Sequence, residues 1–289
     1  MIGAFGAPYA VHADAIPLVQ HPAGSASREP APNVIVSVDD SGSMEWDVAA
    51  NTYQPPTDPR QRMNRLKNAL STNFTSALIP DGRIRLAWQS MHGCLGIPSN
   101  STACGNKNGM KPLQGTHRTN FMTWVNTLTP RGWTPSHALF REAGDYLKRT
   151  DLGVNSPWAD SPGTTGTGSL SCRKSFHIFL TDGEWNGVDA DGDRKNYPKL
   201  LNGNIDGADA TLPGPDSIAY SATSDQTRIY RDSWGFPNYG SSGKGMNTLA
   251  DLAFYYWATD LQPRLPNNVK PIIKRAGTET FGAVALDQY

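Results

Sequence analysis

Residues 33–44 read NVIVSVDDSGSM. Val34, Ile35, Val36 and Val38, interrupted only by Ser37, make a short apolar and β-branched run. A run without polar alternation is how a strand buried on both faces of a parallel sheet reads. It stops at Asp39-Asp40-Ser41-Gly42-Ser43. Polar groups at the carboxyl end of a buried parallel strand occupy the place where open α/β sheets bind ligands. Asp39, Ser41 and Ser43 alternate, so a loop curling over the strand end can aim three oxygens at one point, and Gly42 gives the backbone freedom to curl. Hydroxyl and carboxylate oxygens that converge suit a hard divalent cation, Mg²⁺ before Zn²⁺.

Outward from this stretch, strands alternate with helices. Residues 61–79 predict a helix with Met63, Leu66, Leu70, Phe74, Ala77 and Leu78 on one face, ended by Pro80-Asp81-Gly82. Residues 84–88 predict a second strand, and residues 117–128 a short helix carrying Phe121, Trp124, Val125 and Leu128. Pro135 suits the first position of a helix that runs to about Arg149, with Leu139, Ala143, Tyr146 and Leu147 inward. Residues 150–171, rich in Gly, Ser, Thr and Pro, read as a surface loop. Residues 176–180, FHIFL, predict a third buried strand, again ending in an acid at Thr181-Asp182-Gly183. A long polar insertion covers about 184–246. Thr248-Leu249-Ala250-Asp251 reads as a capping box opening a helix to Leu261, with Leu249, Leu252, Ala253 and Tyr256 inward. The expected fold is therefore α/β, a doubly wound and mostly parallel sheet with helices on both faces and long loop insertions.

Bulk properties bound the function. The 289 residues carry 26 basic and 26 acidic side chains, so no one-sided positive field exists for nucleic acid. No run of 18 apolar residues is present, and no transmembrane segment is expected. Residues 1–32 read as a tail. Val11-His12-Ala13 follows an apolar stretch as a signal-peptide cleavage site does, but no basic start precedes it. A signal-peptide remnant and an ordinary floppy terminus both stay open. Among the three cysteines no C-x-x-C occurs. Cys94 and Cys104 flank a Gly/Ser/Asn-rich loop, and a disulfide between them is expected in an oxidising compartment, leaving Cys172 over.

Asp39, Ser41 and Ser43 after a first strand, Thr134 in a tight loop before a helix, and Asp182 after a later strand follow the order of a metal-ion-dependent adhesion site (MIDAS). The chain thus resembles a von Willebrand factor A domain. Turn capping would explain either acid alone, but not three segments in this order. CRKSFHIFLTDGEWNG at 172–187, NIDG at 204–207 and TLADLAFYYWATDLQPRLPNNV at 248–269 further resemble the N-terminal region of PilC/PilY-type type IV pilus tip adhesins, over residues 33–289. The resemblance implies direct metal binding by the Ser41, Ser43 and Thr134 hydroxyls, with Asp39 and Asp182 acting largely through water. Mg²⁺ is the expected ion, with Mn²⁺ or Ca²⁺ able to take the same site. Neutral hydroxyls leave the cation electrophilic, so an open position can accept an acidic group of a partner. It further implies a non-enzymatic adhesin at the cell surface or pilus tip, with pilus components and host or surface ligands as partners. The family continues into a further strand and a large β-propeller. Residues 281–286 are the last apolar run here, so the domain at 33–289 is expected to be truncated, with an incomplete sheet.

Other features are weaker. Asp189, Asp191 and Asp193 begin like an EF-hand loop, but Gly192 comes two positions early and Leu200 stands where Glu is required. A looser Ca²⁺ site and a solvated turn are the remaining readings. Each metal segment carries a tryptophan: Trp46, Trp133 and Trp185. They make either a ligand-binding rim or a lid packed beneath the loops. His137 and His177 read as structural. Two rivals stand: a metal-dependent phosphohydrolase with Asp39 as nucleophile, and a cytosolic A-domain subunit of an ATPase assembly with reduced cysteines. No D-x-D-x-T supports the first.

Overall fold

A computed structural model of the chain describes residues 30–161, 168–183, 210–211, 219–220, 249–266 and 268. Strand β1 (Asn33–Val38) is buried at every residue. It lies between two parallel neighbours, β2 (Arg85–Ser90) and β4 (Ser175–Leu180), with Val34 opposite both Leu86 and Phe176. The short β3 (Lys111–Pro112) pairs antiparallel with β2, giving the order β3-β2-β1-β4 in a mixed four-stranded sheet.

Residue alternation along the strands divides the core. Val34, Val36 and Val38 join Leu86 and Trp88 in one apolar cluster, which α1 (Arg62–Asn73) and α2 (Gly115–Thr127) complete with Met63, Leu70, Phe121 and Trp124. Ile35 and Ala87 belong to a second cluster. There α3 (Ser136–Lys148) and α4 (Leu249–Ala258) contribute Phe140, Ala143, Tyr146, Leu252 and Tyr256. Each face of β1 thus has its own core, which is why its sequence shows no alternation. All four α3 residues expected inward are buried.

Four expectations need correction. The first helix ends at Asn73, not 79, and Ala77 and Leu78 are exposed. The Arg118 guanidinium collects the carbonyls of Phe74, Ile79 and Leu113, and these bonds turn the chain out of helix. The third strand is not fully buried: only Ser175 of β4 is, and Ile178 is 39% exposed. Among the described residues it has a strand neighbour on one side alone. The loop at 150–171 is not purely superficial. Trp158 is buried with its Nε1 donating to Leu147 O at 2.9 Å. The buried Arg85 donates Nη1 to Pro157 O and Ala159 O, at 2.9 and 3.2 Å. A buried guanidinium needs acceptors. Burial, with Arg173 nearby, pushes the Arg85 pKa down to about 9. The last helix ends at Ala258, not Leu261, and in it Ala253 faces out, whereas Phe254 and Trp257 are buried.

The expected bridge forms between Cys94 and Cys104, with Cα atoms 5.6 Å apart, and Cys172 is free and exposed. A two-residue antiparallel ladder, β5 (Ala210–Thr211) with β6 (Ala219–Tyr220), lies within the polar insertion. No described helix is long and apolar enough to cross a membrane. Residues 1–29 of the expected 1–32 tail, Thr248 of the capping box, and the apolar run at 281–286 lie outside the described residues.

Helices α3 and α4 meet at Gly144, where a methyl group would run into the Tyr256 ring. That ring is anchored by its hydroxyl, which donates to Asp145 Oδ1 at 2.9 Å. Gly144→Ala gains about 1 kcal/mol of helix propensity, but overpacking a fixed ring costs about 1–3 kcal/mol. Denaturant melts should show net destabilisation.

Acid should also weaken the fold. Burial depresses the pKa of His117, whose Nε2 bonds Leu86 O, and desolvation of the half-buried His177 ring, packed against Phe140 and Phe179, pushes its pKa down to about 3. Below the unfolded value of about 6.5 the unfolded chain takes up these protons first. Stability is therefore full above that pH and declines as pH falls. Urea midpoints between pH 7 and 5 should fall, and His117→Gln should flatten the decline.

Candidate metal centre

The site begins where β1 ends. Asp39 N–H donates to Leu180 O at 2.8 Å, tying the ends of β1 and β4 together. The Asp39 side chain is fully buried and its two oxygens are both engaged. Oδ1 accepts Ser41 N–H at 2.8 Å and Oδ2 accepts the Thr181 hydroxyl at 2.8 Å. The first bond bends the chain back over the strand end and leads into a 3₁₀ turn at Gly42–Glu45. Ser41 Oγ then lies 3.1 Å from Ser43 Oγ, and the Ser43 hydroxyl donates to Asp182 Oδ1 at 3.0 Å. The other Asp182 oxygen accepts Arg62 Nη1 at 2.7 Å.

A third loop docks through backbone. Gly42 N–H donates to Gly132 O at 3.1 Å, and Arg131 N–H to Asp40 O at 2.8 Å. Gly132 has φ +69°, and a Cβ there would lie 2.9 Å from the His92 ring, so glycine is required. Two residues on, Thr134 is buried in the same loop, two residues ahead of α3. Asp40 is buried as well. Burial raises its pKa, against the N–H groups of His92 and Gly93, which donate to Oδ1 and Oδ2 at 2.9 Å each. Asp40 thereby locks the disulfide loop to the strand end and offers no free oxygen.

The structure thus brings Asp39, Ser41, Ser43 and Asp182 into one hydrogen-bonded cluster, with Thr134 on the adjoining loop. Among the described residues no group of three or more His, Cys, Asp or Glu is arranged to hold a metal. The donor set is hydroxyl and carboxylate oxygen, which fits a hard cation and not a zinc-type ion. Adjacent vertices of an octahedron with bonds of about 2.0–2.1 Å are about 2.9 Å apart. The 3.1 Å between the two serine oxygens is close to that spacing.

Trp46 and Trp133 are 40% and 66% exposed, joined on the surface by Val48 and Tyr53. Trp46 and Tyr53 face each other across an isolated antiparallel bridge. Trp185 and the acidic cluster at Asp189, Asp191 and Asp193 lie outside the described residues. Sequence reasoning missed Asp40, Arg62, Thr181, His92 and Gly132. The doubled acid at 39–40 and the Gly inside the Pro130–Pro135 turn were available signals. Arg62 offered one more, a cation at a helix start, where the macrodipole favours acids.

Over 238 residues the chain is 36% identical to the type IV pilus biogenesis factor PilY1 of Pseudomonas aeruginosa strain PAK, covering 82% of this chain and 17% of that protein. PilY1 of strain PAO1 is 36% identical over 217 residues, 73% of this chain and 16% of the relative. PilY1 of strain UCBPP-PA14 is 34% identical over 214 residues, 74% and 15% respectively. The chain spans about one sixth of the length of these curated relatives. No family model matches it. No solved structure matches it either.

Exposure makes a prediction about the tryptophans. Trp133→Ala should change unfolding free energy by no more than about 0.5 kcal/mol. Trp124→Ala, in the core at 2% exposure, should cost about 3–5 kcal/mol. Parallel denaturant melts of the two variants measure the contrast.

Proposed function

The chain is a homologue of the PilY1 type IV pilus biogenesis factors over the segment they share, and from that premise we propose that it is a metal-dependent adhesion domain of a PilC/PilY-type pilus tip or cell-surface protein. The observation that carries the reading is the run of oxygens from Ser41 through Ser43 to Asp182, across the carboxyl ends of two parallel strands. Three parallel strands with an apolar cluster on each face of β1 support a von Willebrand factor A-like arrangement.

In this reading Ser41, Ser43 and Thr134 hold a Mg²⁺-type cation directly, Mn²⁺ and Ca²⁺ being acceptable substitutes. Asp39 and Asp182 stand behind them and act largely through water. When bound, the cation provides a Lewis-acidic point for a carboxylate of a pilus component or surface ligand. Asp39 fixes the loop that carries Ser41, and Gly42 fixes the Thr134 loop against it. Trp46, Tyr53 and Trp133 give a partner broad contact around the point charge. The looser Ca²⁺ site considered for Asp189, Asp191 and Asp193 forms no part of this reading.

Binding, not catalysis, suits the arrangement. A nucleophilic Asp39 would need an accessible oxygen, yet its carboxylate is fully buried with both oxygens accepting hydrogen bonds. The bridged Cys94 and Cys104 suit an oxidising location better than a cytosolic ATPase assembly.

Calorimetric titration with Mg²⁺ tests the site. Wild type should bind, and Ser41→Ala or Thr134→Ala should abolish binding while the circular dichroism spectrum stays that of a folded chain. Unchanged affinity in both variants would overturn the assignment.

A further inference from the structure

Arg62 is the first residue of α1, where its charge opposes the helix dipole. Its side chain is occupied elsewhere. Nη1 donates to Asp182 Oδ2 at 2.7 Å and to the Ser43 carbonyl at 3.2 Å. Nη2 donates to Asn51 Oδ1 at 2.8 Å. One planar guanidinium therefore joins the loop after β1, the excursion through Asn51 and the loop after β4. The ion pair is largely shielded, with side-chain exposures of 18% for Arg62 and 8% for Asp182. Asn51 sits at φ +49°, a left-handed conformation that asparagine tolerates better than most residues.

The two oxygens of Asp182 have separate duties. Oδ1 accepts the Ser43 hydroxyl and faces the serine pair, while Oδ2 is held by Arg62. Ser43 is gripped at both ends, its hydroxyl on Asp182 and its carbonyl on Arg62. Without the guanidinium, Asp182 would keep a single hydroxyl contact and could rotate away from the serines.

We propose that Arg62 is a positioning residue for the cation site, holding Asp182 and Ser43 in the geometry that receives a hard divalent ion. The inference rests on the site reading above. Two effects of Arg62 on a cation oppose each other. Its charge repels the ion, but Asp182 neutralises that charge at 2.7 Å, so the net field of the pair is small. Its fork orients the acid, and loss of a partner that orients metal-site groups typically lowers metal affinity about 10–100-fold. Orientation therefore dominates.

The test is calorimetric titration of the full 289-residue chain with Mg²⁺ and, separately, Mn²⁺. Arg62→Ala should weaken both affinities about 10–100-fold, with an unchanged circular dichroism spectrum in EDTA. Arg62→Lys keeps the charge but not the planar fork, and should recover part of the loss. Asn51→Ala, which frees one end of the guanidinium, should lower affinity to a smaller degree and carries the test if Arg62→Ala does not fold. Equal or tighter binding by Arg62→Ala, or by Asn51→Ala in its place, overturns the inference. Absence of Mg²⁺ and Mn²⁺ binding by the wild type overturns the site reading itself, and this inference with it.

Discussion

A buried carboxylate sits at the junction on which the described structure depends. Asp39 is fully buried, and a carboxyl group at such a place must have its oxygens satisfied. It meets that demand with one bond to its own loop, Ser41 N–H, and one across to Thr181 beyond β4. The loop cannot take another path without stranding an oxygen, nor can the end of β4 drift from β1. The bonds that satisfy Asp39 also place the Ser41 and Ser43 hydroxyls over the sheet. Fold and candidate site thus share one energetic requirement.

The neighbouring acid extends the same logic to covalent structure. Asp40 accepts the N–H groups of His92 and Gly93, directly before Cys94. The Cys94–Cys104 bridge closes that loop on itself. Arg131 continues outward, its N–H on Asp40 O and its Nη2 on His92 O at 2.9 Å. A disulfide about ten residues long constrains the unfolded loop by on the order of 2–3 kcal/mol in the chain-entropy model. Its effect reaches the Thr134 loop through Asp40 and Arg131, although no cysteine belongs to the candidate donor set.

Local pattern made the centre of the fold legible, and long-range demand made the rest illegible. β1 could be read because burial on both faces removes alternation, and α3 because its inward residues keep helical spacing. The end of α1 could not, since it depends on Arg118 from another helix. Nor could the descent of residues 157–159 into the protein, because it brings acceptors to Arg85 Nη1 and Asn33 Nδ2, which lie far back in the chain. The site divides in the same way. Asp39, Ser41, Ser43, Thr134 and Asp182 follow a motif order visible in one dimension. Arg62 and Gly132 serve through contacts with segments that only folding brings near.

That division also explains how exposed aromatic groups can be rigid. Trp133 presents its ring to solvent, yet its backbone is held. Its carbonyl lies 2.6 Å from His92 Nε2 and, being only an acceptor, requires that nitrogen to carry the proton. His92 in turn packs where a side chain at residue 132 would be, and its own N–H is on Asp40. Trp46 is fixed similarly, its N–H on Ser43 O and its strand-like bridge to Tyr53. An aromatic surface whose backbone is already ordered loses less entropy on meeting a partner than a floppy loop would. The hydrogen bonds that assemble the oxygen cluster therefore also order the apolar surface beside it, so that on the proposed reading a single preorganised face offers both a cation and tryptophan.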